Sequence, residues 1–260
     1  MNNYIINESS AEIRGMSRFI LKDKWKNVAI GLLIYQIVTS LIPDILTILF
    51  PNDFYNSLYM EQAVQTSNVA TLYNLLTLGA ISLGFAIFML NIVRFGEVHY
   101  DNIFEGFSHY FKSLVLTLLM GIFVILWTLL LIVPGIIALY RYSQAYYILA
   151  EDPKKDPLQC INESKAMMMG NKSKLFGLHI TFIGWYILAV LPAMFLGVFL
   201  MELNDMTYYI IQDILIMIPF SFVMAYTNIA ETIFYEMLKY EGRENLPHEG
   251  EKALRPSLME

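Results

Sequence analysis

The chain has 260 residues, of which 57% are hydrophobic and only 15% charged, with a mean hydropathy of +0.51. A soluble domain carries about 25% charged residues, so a soluble globule is disfavoured, and a formal charge of −6 offers no basic surface for nucleic acid. The single cysteine, Cys160, rules out an intrachain disulfide and, with no histidine beside it, makes a poor metal site.

Read in chain order, the sequence predicts an all-α, polytopic membrane protein of six transmembrane helices and three interfacial amphipathic helices. A polar N-terminal stretch precedes the first apolar run and no small-residue cleavage site follows it, so the first span is expected to be retained. Within that stretch, residues 9–24 place Ile13, Met16 and Ile20 on one helical face, with Glu12, Arg14, Arg18 and Lys22 elsewhere. Spans are predicted at 27–50 and 70–93. Residues 102–112 then repeat the pattern with Phe104, Phe107 and Phe111. Two more spans, 113–133 and 135–150, are divided by the turn signal Pro134-Gly135. The second has 16 residues, about 24 Å as a helix, which is short for a crossing. A re-entrant hairpin is the alternative; two spans are favoured. Residues 157–169 place Leu158, Ile161 and Met168 on a third amphipathic face. Here Asp156 can cap, Pro157 fits the first helical position, Gln159 can close a capping box and Gly170 can end the helix. Spans at 175–200 and 207–236 complete a single membrane domain over 1–240, and 241–260 reads as an acidic, flexible cytoplasmic tail.

Charge fixes the expected orientation. The 17 Lys and Arg cluster at Arg14–Lys26, Lys154–Lys174 and Lys239–Arg255, with Arg94 and Lys112 between and Arg141 alone inside an apolar run. The two predicted outer loops, around Pro51–Ser67 and Glu202–Met206, hold acids and no base. Basic loops stay cytoplasmic, so both termini are placed there and anionic lipid headgroups are the expected contact. Each amphipathic helix precedes a basic elbow and an apolar hairpin, which reads as three copies of one unit. The plainer alternative is that any outward-going span needs a basic flank.

Three ionisable residues lie inside apolar runs, where burial is costly. Asp44, Arg141 and Asp213 each sit six positions from a predicted outer end, about 9 Å deep, and are the candidate intramembrane polar network. They can form a ligand or ion site, tie spans one, four and six together, or reach up to water. Glu231 and Glu236, near the inner end of the last span, are expected to snorkel to cytoplasmic water. Ala189, Ala193 and Gly197, and likewise Ala80 and Gly84, recur at four-residue spacing and permit close helix approach. Pro43, Pro192 and Pro219 are expected to bend their helices. His179 reads as a satisfied or interfacial side chain. There is no phosphate-binding glycine loop, no Gly-x-Ser-x-Gly and no paired-histidine motif, so no catalytic residue, cofactor or metal is assigned.

An ordered set of motifs is more specific than any of these features. It comprises Phe104-Glu105-Gly106-Phe107, Trp127 through Val133-Pro134-Gly135-Ile136-Ile137, Tyr142-Ser143, Tyr147 through Glu151-Asp152-Pro153, Glu163 through Gly170-Asn171-Lys172, Phe182-Ile183-Gly184-Trp185 and Phe234-Tyr235-Glu236. The set resembles the DUF975 family of bacterial integral membrane proteins, from the N-terminal helix to about Lys239. It departs from the family pattern at Glu151-Asp152-Pro153 and Pro219-Phe220. The family is similar to other multi-spanning bacterial groups, including the membrane domain attached to some glycerophosphodiester phosphodiesterases. The resemblance implies a membrane module in the bacterial cell membrane and carries no active-site residues.

The function expected is therefore non-enzymatic: an accessory, scaffold or envelope-homeostasis role through membrane lipids and a membrane protein partner. The alternative is a small transporter or lipid-handling protein with an outward-facing polar site. An intramembrane enzyme is the weakest of the three.

Overall fold

A computed structural model describes residues 4–52, 67–199 and 205–241. Most of the two predicted outer loops, residue 200 of the fifth span and the tail beyond Glu241 lie outside the described residues. Among those described, the chain is all-helical and no strand is present.

Helix α1, Ser10–Leu21, starts on a reciprocal cap. The Ser9 hydroxyl accepts from the Glu12 amide at 3.2 Å, and the Glu12 carboxylate accepts from the Ser9 amide at 2.6 Å. Its apolar face does not rest in lipid as the amphipathic pattern led one to expect. Ile13, Met16 and Ile20 are buried in the protein core, and α1 packs along the last helix of the chain. Amphipathicity specifies an apolar partner without saying whether that partner is lipid or protein.

The first long helix runs from Trp25 to Leu49 as α2, Trp25–Gln36, a π-helical turn at Ile37–Leu41 and α3, Ile42–Leu49. The wide turn falls just before Pro43, whose missing N–H breaks the regular ladder. Helix α4, Asn68–Phe95, is capped by the Ser67 hydroxyl and closed by Gly96 at φ 71°, the left-handed conformation a helix terminus favours. It is the central helix: 61% of its most apolar stretch is buried, against 11% for the peripheral helix that follows.

That next segment begins with α5, Asn102–Glu105, and a 3-10 turn at Gly106–His109, before α6, Tyr110–Leu130. The amphipathic element read over 102–112 is thus broken in two. Phe104, Phe107 and Phe111 are all exposed. Two glycines make the approach to α4 possible: a Cβ on Gly84 would stand 2.0 Å from the Ile103 carbonyl oxygen, and one on Gly106 1.9 Å from that of Ala80.

The chain continues as α7, Ile132–Tyr142, and α8, Ala145–Glu151. Neither reaches the ~20 residues of a full crossing, so the expected span 135–150 is two short helices with a break at Ser143-Gln144. The break is satisfied from α9, Pro157–Met167. The Ser164 hydroxyl donates to the Arg141 carbonyl at 3.0 Å and accepts from the Gln144 amide at 3.2 Å. Pro157 takes the first position of α9 and Asp156 precedes it in extended conformation, although the Asp156 side chain makes no capping bond. Ile161 and Met168 are buried and Leu158 is exposed, so this face divides between core and surroundings.

Helices α10, Lys172–Ile180, and α11, Ile183–Phe199, form another long apolar element, followed by α12, Asp205–Lys239. The stripe Ala189, Ala193 and Gly197 faces α12, where Gln212 donates to the Ala193 carbonyl at 3.2 Å. Five helices among the described residues are long and apolar enough to cross a membrane: Trp25–Leu49, Asn68–Phe95, Asn102–Leu130, Lys172–Val198 and Ile211–Lys239. The core lies toward one end, where α1, α8 and α9 meet the C-terminal halves of α4 and α12. Toward the other end, α6, α7 and α11 turn large apolar side chains outward.

Candidate functional site

Three helices end at one place. Arg94 closes α4, Glu151 closes α8, and Tyr235, Glu236 and Lys239 lie on the last turns of α12. Arg94 Nε donates to Glu236 Oε1 at 3.0 Å, and its Nη2 bridges to Glu236 at 2.5 Å and to Glu151. Lys239 reaches Glu151 at 2.5 Å, and the Tyr235 hydroxyl donates to it at 2.7 Å. Tyr235 stacks on Tyr147 at 5.0 Å, and the Tyr147 and Thr232 hydroxyls lie 3.0 Å apart. Burial pushes the Glu151 carboxyl up, but the bonds from Arg94, Lys239 and Tyr235 outweigh it and hold the group below the usual carboxylate range.

This cluster corrects one sequence expectation. Glu236 does not snorkel to water; its side chain is 3% exposed and is held by Arg94. Packing of α4 on α12 supplies guanidinium donors where water would otherwise solvate the carboxylate. Glu231 lies 3.9 Å from His179 and is also partly buried. Sequence gave Arg94 no partner, because the pairs span 57 and 142 residues.

Beside the cluster lies a cleft of about 270 Å³ that includes Tyr4, Glu151, Lys155, Glu163, Tyr235 and Lys239 in its walls. Its charges are turned on each other: Lys155 pairs with Glu163 at 2.5 Å, as Lys239 does with Glu151. The start of α6 is tied to the same end, because Lys112 donates to the Pro153 and Lys154 carbonyls at 2.7 and 2.9 Å. The N-terminal segment is clasped nearby. The Asn171 amide donates to the Tyr4 carbonyl at 2.8 Å and accepts from the Ile6 amide at 3.0 Å.

The structure brings two of the three candidate network residues together. Asp44 on α3 and Asp213 on α12 interact through their carboxyl groups. Arg141 is on α7, which packs against α6, α9 and α10, and its carbonyl takes the Ser164 hydroxyl. Among the described residues, no ion pair joins Arg141 to either aspartate.

His179 accepts from or donates to the Tyr140 hydroxyl through Nδ1 at 3.2 Å, while its Nε2 points toward Glu231 without a hydrogen bond. Cys160 is buried, and burial, then the Glu163 charge, push its thiol up to about 11, far from a reactive thiolate at neutral pH. Among the described residues, no group of three His, Cys, Asp or Glu could hold a metal ion.

Residues 1–140 and 129–241 match the family described as "Protein of unknown function (DUF975)". The chain belongs to the DUF975 family. No curated protein and no solved structure matches it. Several DUF975 motif positions have architectural duties here. Gly106 admits α4, Ser164 seals the α7–α8 break, Asn171 clasps the N-terminus, and Glu151 and Glu236 anchor Arg94. Two devices legible in the sequence escape the sequence reading: the Ser9-x-x-Glu12 capping box and the Asn171 side chain that clasps the N-terminal segment.

Proposed function

We propose that this DUF975 protein is a non-enzymatic, multi-pass protein of the bacterial cell membrane, with both termini cytoplasmic, that acts as an accessory or scaffold through lipid and protein contacts. One observation carries the reading. The charged groups around the central cleft are spent on one another, while the surface turned outward is a broad apolar belt on α6, α7 and α11. A catalytic site needs an activated group directed at a substrate, and mutually neutralised ion pairs at helix ends serve as ties. Six passes fit this reading, with α7 and α8 together forming the fourth. The meeting of Arg94, Glu151 and Glu236 supports it, because the second, fourth and sixth passes then finish at one face. Three helix-plus-hairpin units remain the proposed organisation, with the first helix turned into the core.

The decisive experiment is gentle native extraction from membranes after a carbonate wash, with mass spectrometry of co-purifying proteins and lipids. Retention through the wash with a stoichiometric protein or lipid partner is the expected result. A chain that washes off the membrane, or that turns over a substrate in purified form, overturns the reading. A second reading, a small transporter or lipid-handling protein, draws on the interacting carboxyl groups of Asp44 and Asp213. It requires that D44N and D213N abolish uptake in vesicles while the protein still folds.

A further inference from the structure

Between α7 and the start of α10 runs a groove of about 520 Å³, within the size range of ligand pockets of about 300–1,000 Å³. Val133, Ile136 and Ile137 from α7 and Phe176 from α10 give it apolar walls. Tyr140 is fixed beside them by an edge-on contact with Phe176 at 5.7 Å and by its hydroxyl bond to His179 at 3.2 Å. The remaining lining includes Lys172 and Ser173, and among the described residues no Asp or Glu lines the groove. Among the described residues Lys172 has no ion-pair partner, unlike Arg94, Lys155 and Lys239. Helix α10 begins at Lys172 without a side-chain cap, which leaves amide donors of its first turn beside the lysine.

We propose that this groove seats one anionic phospholipid, with an acyl chain against Val133, Ile136, Ile137 and Phe176 and the phosphate on Lys172 and Ser173. The chemistry of the lining selects this occupant. A lysine in a groove whose described lining holds no acid attracts an anion, and long apolar walls reject a small hydrated one. The groove also opens onto the outward apolar belt, through exposed Ile132, Leu139 and Ile180, so a lipid reaches it without leaving the bilayer. The proposal rests on the membrane reading above and adds to it a defined seat and a headgroup charge.

The test uses the full chain, purified in mild detergent and shown to be folded by its thermal melt. Native mass spectrometry then titrates palmitoyl-oleoyl phosphatidylglycerol against phosphatidylcholine with the same chains. The wild-type protein is expected to bind phosphatidylglycerol about fivefold more tightly, the effect of one lysine at an anionic headgroup. K172E is expected to lose that preference and K172R to keep it. I137W, which fills the groove, is expected to weaken both lipids at least about fivefold. Should K172E fail to fold, K172Q carries the same expectation. Equal binding of the two lipids by wild type, wild-type preference in K172E or K172Q, or unchanged binding in I137W overturns the seat. If the chain survives the carbonate wash but shows any of these results, only the seat falls; if it washes off, the membrane reading falls with it.

Discussion

Arg94 and Glu236 stand 142 residues apart in sequence and meet at 3.0 Å, Nε to Oε1, at the shared end of α4 and α12. Arg94 is 25% exposed and Glu236 only 3%. The pair is therefore largely desolvated, and each partner is the other's substitute for water. Glu151 shares the same guanidinium, so one arginine holds the ends of three helices.

Removal of Arg94 strands the Glu236 carboxylate and leaves Glu151 to Lys239 and Tyr235. Arg94→Ala is expected to destabilise the protein by about 3–5 kcal/mol, the usual effect of breaking a buried pair from one side. The double variant R94L/E236L is expected to recover much of the loss, since apolar isosteres remove the uncompensated charge. Thermal unfolding in detergent distinguishes the cases; a loss under about 1 kcal/mol for R94A would mean the pair behaves as an exposed one.

Glu151 predicts an acid limb. Its carboxyl is held below the ordinary carboxylate range, so the folded state binds fewer protons than the unfolded state. That contribution is present in full above the unfolded value of about 4.3 and is lost as pH falls through the lower folded value. Melting temperature measured from pH 7 down to pH 3 is expected to fall in this window. E151Q is expected to be less stable at pH 7 and to show a shallower acid limb.

The glycine contacts predict a graded series. Gly84→Ala and Gly106→Ala place a Cβ about 2 Å from backbone carbonyl oxygens, which cannot move aside like side-chain ends. Each is expected to cost at least about 1–3 kcal/mol or to shift α5 off α4. Gly177→Ala, with nothing within 4 Å of the added carbon, is expected to be neutral or slightly stabilising. Unfolding midpoints of the three single variants decide it.

The amphipathic helices are expected to divide by environment. Ile13 is 0% exposed, so Ile13→Ala is expected to cost about 2–5 kcal/mol of fold stability. Phe111 is 79% exposed, so Phe111→Ser is expected to leave stability nearly unchanged and to alter lipid or detergent association instead. Equal destabilisation by both would show that the two faces have the same kind of neighbour.

Sequence by itself determined the class, the approximate helices and the family. Apolar runs of bilayer length and the turn signals between them depend only on local composition, and five of those runs are long helices here. The four-residue stripe of Ala189, Ala193 and Gly197 likewise announced a close helix contact, whose partner proved to be α12. Tertiary structure alone decided where charge goes. Depth counted along the chain put Asp44, Arg141 and Asp213 level, yet only the two aspartates meet, while α7 packs against α6, α9 and α10. It also decided what each apolar face touches. The hydrophobic pattern of α1 is the same whether lipid or protein covers it, and only the packing of α12 against Ile13, Met16 and Ile20 makes that choice. The Arg94 cluster was invisible for the same reason: ion pairs depend on separation in space, and nothing local at residues 94, 151 or 236 encodes their meeting.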